Sequence, residues 1–241
     1  MSASALPAGP PAGPPAGPPA GPIEFWSDFI SPYGYLGATQ VEAVAARHGR
    51  AVTWRPLLLG VTVLKVMGLK PLPETPLKGD YLTIDLPRLA ALYGVPLTDK
   101  RVPGVNGVAA ARALLWLRGQ DAALAARFAH AIYRRLWVRG ADITPPEAVL
   151  EEAAALGAPR APLAEWLAGE PAKAALKAEV EEAVARGIFG APTFVVDGEP
   201  IWGADRLWML DHRLRHGGWV PLEAPAPPAR LSSPGGCSGA G

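Results

Sequence analysis

The chain has 241 residues, with 23 Lys and Arg against 22 Asp and Glu. That near-neutral balance excludes the basic field a phosphate-coating nucleic-acid binder needs. A single cysteine excludes a disulfide framework, a cysteine zinc cluster and an intramolecular CxxC redox pair. No apolar run approaches the ~20 residues of a membrane helix, so no membrane partner is expected.

The 28 prolines and 27 glycines gather toward the ends: residues 7–22 read PAGP four times, and 221–241 mix Pro, Ala, Gly and Ser. A period of four is not the three of a collagen triple helix. Without large apolar side chains to pack, such segments are expected to stay mobile. The start lacks the basic residues and continuous apolar stretch of a secretory signal. A cytoplasmic protein is expected, with tails at 1–22 and 221–241.

Between the tails the elements follow in order. Ile23 to Phe29 mixes aromatic and β-favouring residues and stops at Ser31-Pro32, which reads as a strand. Tyr35, Leu36, Val41, Val44 and Ala45 then recur at helical spacing, with Gly49 as the helix stop. Ala51 to Leu57 is a second short strand, so the opening is strand, helix, strand, with a helix long enough for a parallel crossover. Helical patterns follow at Asp80–Tyr93, Asn106–Arg118, Asp121–Trp137 and Thr144–Leu156, with a turn or two at Pro162–Ala168. Thr144-Pro145-Pro146-Glu147 has the spacing of a capping box. An amphipathic helix at Pro171–Arg186 ends at Gly187. Thr193–Val196 and Glu199–Trp202, joined by Asp197-Gly198, then predict a hairpin, and Leu207–Leu214 a closing helix. The economical fold is α/β: a small sheet domain in two parts, 23–57 and 171–220, with a helical insertion at 58–170.

Two places could carry chemistry. Ser31 ends a strand and begins a helix, where free N–H groups and the helix dipole favour an anion. The same serine is read as simply as a helix N-cap. Pro192, in Gly190-Ala191-Pro192-Thr193, opens a strand, where proline's missing N–H is tolerated. It could be cis, leaving the Ala191 backbone to an extended ligand, or an ordinary trans loop proline.

Other candidates are bland. His212 and His216 share one helix face without a third ligand, so no metal is expected. His48 suits a helix C-terminus, and His130 a packing or surface position. Glu151-Glu152 and Glu181-Glu182 read as exposed helix faces. Of the eight tryptophans, Trp26 and Trp202 are the two allowed near an aromatic ligand. Cys237 reads as an accessible thiol with nothing to activate it.

The ordered set resembles a known family. A strand–turn–helix with an active residue at the turn, a helical block, then G-x-P-T before a hairpin is similar to the thioredoxin-like fold of the DsbA type. Ser31-Pro32-Tyr33-Gly34 stands where those oxidoreductases carry CxxC, as in the kappa-class glutathione transferases and the 2-hydroxychromene-2-carboxylate isomerases. Gly79-Asp80-Tyr81-Leu82 to Asp85-Leu86, Leu92-Tyr93-Gly94-Val95-Pro96-Leu97, Asn106 with Arg112, Ile188 to Thr193, and Trp202 to Leu207 extend the likeness over about 23–217.

The resemblance implies a glutathione-dependent isomerase of a conjugated aromatic keto acid, with glutathione as a cofactor that is not consumed. Ser31 would favour the thiolate as the catalytic group. Lys78, Ala191, Pro192, Ala204 and Asp205 would hold the tripeptide, and Asn106 and Arg112 the substrate carboxylate. A homodimer is implied by analogy. Leu69 and Ala204 depart from the family pattern: Leu69 has no side-chain amide, and Ala204 offers only backbone. A kappa-like transferase and a non-catalytic thiol- or peptide-binding module are the alternatives.

Overall fold

The computed structural model describes residues 21–222; the PAGP repeat up to residue 20 and Cys237 lie outside them. Four strands form one sheet in the order β2-β1-β3-β4: β1 Ile23–Ser27, β2 Val52–Pro56, β3 Thr193–Val196 and β4 Glu199–Trp202. β1 pairs parallel with β2, Ile23 opposite Val52, and antiparallel with β3, Phe25 opposite Phe194. β3 and β4 form the hairpin read from the sequence.

The parallel pair is joined by α1 (Pro32–Arg47), as the crossover rule requires. His48 caps it and Gly49 follows at φ 64°. Between β2 and β3 come α2 (Lys78–Leu92), α3 (Val108–Gln120), α4 (Ala122–Trp137), α5 (Pro146–Ala155), α6 (Arg160–Ala168) and α7 (Glu170–Ala185). A π-helical stretch at Gly60–Val66 precedes them, and α8 (Leu207–His216) is the last helix among the described residues. No helix among the described residues is long and apolar enough to cross a membrane.

Strand alternation sorts the core. Ile23 and Phe25 join the larger apolar cluster with α1, α3 and α4, and Phe25 meets Trp54 and Phe194 at ring distances of 5.0 and 5.5 Å. Trp26 points the other way, into a smaller cluster with Leu57, Ala183, Ile188 and Val195.

Three expectations fail here for physical reasons. The capping box does not form: Pro146 bars its predecessor from the helical region, so Pro145 stays extended at ψ 132° and α5 starts one residue late. Thr144 Oγ1 instead accepts the Asn106 N–H. Trp26 is buried, with Arg55 stacked 4.1 Å from its ring centre, so it cannot face a ligand. Glu152 and Glu182 are not simply solvated: Glu152 pairs with Arg135 and Arg139, and Glu182 with Arg55 and Arg186.

Candidate active site

The β1–α1 turn forms because Asp28 offers its carbonyl to the Ser31 N–H at 2.9 Å. Ser31 is extended, and its Oγ accepts the Gly34 N–H at 2.9 Å, which makes it the N-cap of α1. That satisfies one orphan N–H of the helix and leaves the hydroxyl proton free to point elsewhere. It points across the sheet: Ser31 Oγ–H donates to the Ala191 carbonyl at 3.2 Å, a partner 160 residues away. The capping reading and the site reading therefore describe the same atom.

Ala191–Pro192 is a cis peptide. Pro192 seats on α1 at Gly37, where a β-carbon would lie 3.0 Å from Pro192 Cγ, so a larger residue there would have to push the proline back. The Pro192 carbonyl accepts the Gly203 N–H at 2.9 Å, which draws the end of the hairpin beside it. Gly203 has φ 111° and turns the chain into the short 3₁₀ turn Ala204–Arg206. Ser31, Ala191, Pro192, Ala204 and Asp205 are thus assembled through a chain of hydrogen bonds. Ala204 is buried, and its carbonyl accepts the Tyr93 hydroxyl at 3.0 Å. Asp205 keeps an open carboxylate, 61% exposed, with Arg206 3.6 Å away.

A tyrosine–carboxylate cluster flanks this ridge, and sequence reasoning gave it no role. Tyr33 Oη–H donates to Asp85 Oδ2 at 2.7 Å, and Tyr81 to Asp85 Oδ1 at 3.1 Å. Burial, then the hydrogen bond and charge of Asp85, push the Tyr33 hydroxyl well above its ordinary value. Asp205 adds to that push on Tyr33 and on Tyr93, which puts it within electrostatic reach of both. Lys78 is the first residue of α2 and is exposed. Residues 78 and 85 are seven apart and share a helix face, so the cation lies toward the same side as Asp85. Among the described residues Lys78 forms no ion pair.

The substrate-side residues divide. Asn106 is exposed beside the turn: its Oδ1 accepts the Val108 N–H, and the next residue, Gly107, abuts Asp28 and Phe29. Arg112 lies further along α3. Its carbonyl accepts Trp166 Nε1–H from α6, and its own Nε is buried without a partner. Among the described residues no hydrogen bond or ion pair joins Arg112 to Ser31.

Asp28, 3% exposed, is the other residue missed. Burial pushes its carboxyl up to about 6, against the Leu59 and Ile30 N–H groups that pull it down. Its only sequence signal is an acid three residues before Ser31. Trp202 is half exposed and packs 5.0 Å from Phe189, on the flank of the Ala191 loop.

In this chain a hydroxyl at a helix N-terminus faces a cis-proline peptide that opens a strand, and comparison with known proteins identifies the fold that brings them together. The model of the DsbA-like thioredoxin domain matches residues 22–215. The chain belongs to the DsbA-like thioredoxin family. Within it, the chain is 32% identical to the 2-hydroxychromene-2-carboxylate isomerase of Sphingobium xenophagum over 193 residues, 80% of this chain and 97% of that one. It is 30% identical to human glutathione S-transferase kappa 1 over 221 residues, covering 87% and 97% of the two. A solved 2-hydroxychromene-2-carboxylate isomerase superposes with a TM-score of 0.71 at 26% identity, covering 80% of this chain and 94% of that one. At the β1–α1 turn this chain carries Ser31-Pro32-Tyr33-Gly34 and no CxxC pair.

Proposed function

We propose that this protein is a glutathione-dependent isomerase acting on 2-hydroxychromene-2-carboxylate or a similar conjugated aromatic keto acid in aromatic-compound breakdown. The observation that carries the reading is the Ser31 hydroxyl, fixed at the N-terminus of α1 with its proton on the Ala191 carbonyl. The residues suit the tripeptide chemically. A thiol, an ammonium and carboxylates call for a hydroxyl donor, an open anion and an unpaired cation, supplied by Ser31, Asp205 and Lys78. Glutathione, when bound, supplies a thiolate that adds reversibly to the conjugated side chain, makes its double bond temporarily single, and leaves again.

The chain's own residues do the rest. Ser31 turns its proton from Ala191 toward sulfur and, with the α1 dipole, holds the sulfur ionised. Ala191 and Pro192 present an extended edge for the cysteinyl part, and the Ala204 backbone with Asp205 receives the glutamyl end. Asn106 stands on the substrate side of the turn. Arg112 would offer its guanidinium to a substrate carboxylate. A cytoplasmic homodimer completes the reading.

The kappa-like transferase is the second reading, favoured by the human relative's longer span of this chain, 87% against 80%. One assay separates them: incubate enzyme, glutathione and a conjugated aromatic keto acid, then count free thiol before and after turnover. Changed substrate with unchanged thiol is the isomerase result. Lost thiol makes it a transferase, and no thiol dependence removes both.

A further inference from the structure

The parallel ladder of β1 and β2 runs out at their C-terminal ends, where Leu57 N–H donates to the Ser27 carbonyl at 2.9 Å. The next rung is not made by backbone. Asp28 Oδ2 accepts the Leu59 N–H at 2.9 Å, while Oδ1 accepts the Ile30 N–H at 3.2 Å. One side chain therefore closes the Ser31 turn on itself and fastens it to the chain leaving β2.

The other walls hold the carboxylate in place. A β-carbon at Gly107, at the start of α3, would lie 3.0 Å from Asp28 Oδ1, so that helix start closes over the acid. From α4, Tyr133 Oη–H reaches Ser27 Oγ at 2.7 Å and the Asp28 carbonyl at 3.4 Å. Tyr133 is the titratable side chain facing Asp28. Among the described residues no Lys, Arg or His pairs with it, from α1, α3, α4 or the segment after β2. A buried acid with no cation is costly unless its hydrogen bonds are needed.

We propose that Asp28 is a positioning residue: its carboxylate pins the Ser31 turn to the segment beginning at Leu59, which leads to Lys78, and so sets where the hydroxyl stands relative to that segment. The functional half rests on the Ser31 reading above; the pin itself does not. Both oxygens must accept, so the ionised acid is the competent form. An amide would turn a donor toward a donor, and a protonated acid would lose one of the two N–H groups. The two N–H bonds pull the buried acid down to about 6, so protonation below that favours releasing them while the acid stays buried; this local loosening at Leu59 is distinct from the gain in overall stability that protonation brings.

The test uses the full-length protein without any thiol, then with glutathione. Amide-exchange protection factors at Leu59 and Ile30 are measured between pH 5 and 8, with Phe194 in β3 as the internal reference. In the wild type, Leu59 protection is expected to fall about tenfold or more through the acid's titration while Phe194 holds, as for the loss of one charge-assisted bond. In Asp28→Asn, Leu59 protection should be low and flat across pH, and calorimetric glutathione affinity at pH 8 about tenfold weaker. If Leu59 protection is insensitive to pH, or falls in step with Phe194, the pin is overturned by the wild type alone, whether or not the variant folds. If the variant loses protection but binds glutathione as tightly as wild type, the positioning role is overturned. If the pin behaves as stated and the wild type binds no glutathione, the functional reading fails and the pin stands.

Discussion

Two buried carboxylates in this molecule are treated in opposite ways. Glu179 on α7 is 7% exposed and meets two guanidinium groups, Arg55 from β2 and Arg118 from α3 at 2.8 Å. Arg55 continues to Glu182 and Glu24, and Arg186 joins both, so the charges over Trp26 form a closed lattice. Asp28 is as deeply buried, yet it faces only backbone N–H groups. A closed lattice has nothing left to offer a ligand. The polar groups around Ser31 are held by single, exchangeable bonds, and that is the condition for chemistry.

The sharpest break of that comparison is Glu179→Ala. It removes the carboxylate partner of Arg118 and one of the three around Arg55, and should cost ~3–5 kcal/mol of stability, read by urea denaturation. Loss of turnover beyond what unfolding explains would show that the lattice reaches the site. Asp28 is read through pH instead. Its folded value near 6 lies above the ordinary 3.8. It therefore stabilises the fold fully below about 3.8 and loses that contribution, ~3 kcal/mol at most, as pH rises through about 6. The melting-temperature difference, Asp28→Asn minus wild type, should become more positive between pH 4.5 and 8; a flat or falling difference contradicts it.

Ser31→Ala should lower thiol-dependent turnover by ~10–150-fold at neutral pH, the worth of one hydrogen bond to a charged group, ~1.5–3 kcal/mol. The deficit should shrink at alkaline pH, where the thiol ionises unaided. A variant that melts lower but turns over normally is only a lost cap, worth ~0.5–2 kcal/mol. The smallest effect is expected for Tyr33→Phe, which removes one bond to Asp85 and should cost ~0.5–1.5 kcal/mol in glutathione binding or stability, read by calorimetry. An increase in affinity would mean that Tyr33 competes with the ligand for Asp85.

Local signals carried much of this from sequence. The strands were legible to within two residues, because turn residues bracket short β-favouring runs. Ser31 and Ala191–Pro192 stood out because each lies where a strand meets a loop. What failed was relational. Trp26 looked available because the sequence does not say which face of β1 Arg55 and Arg186 cover. Asp85 and Asp28 were passed over because their partners, Tyr33 and Leu59, lie 52 and 31 residues away. The capping box failed on a local rule, the restriction Pro146 places on Pro145, which outweighed the motif.

The strand order has one more consequence. β1 leaves the sheet at the edge where antiparallel β3 enters it, so Ser31 and Ala191 meet although 160 residues separate them. The helices between can lengthen, shorten or be exchanged without moving either residue, provided their ends return to the same place. The reverse also holds. The Ser31–Ala191 bond exists only after β1 and β3 have found each other, a contact of high sequence separation that forms slowly. A nascent chain, a proteolytic fragment or half of a split protein holds one jaw of the clasp. Activity in a lysate would therefore count finished molecules.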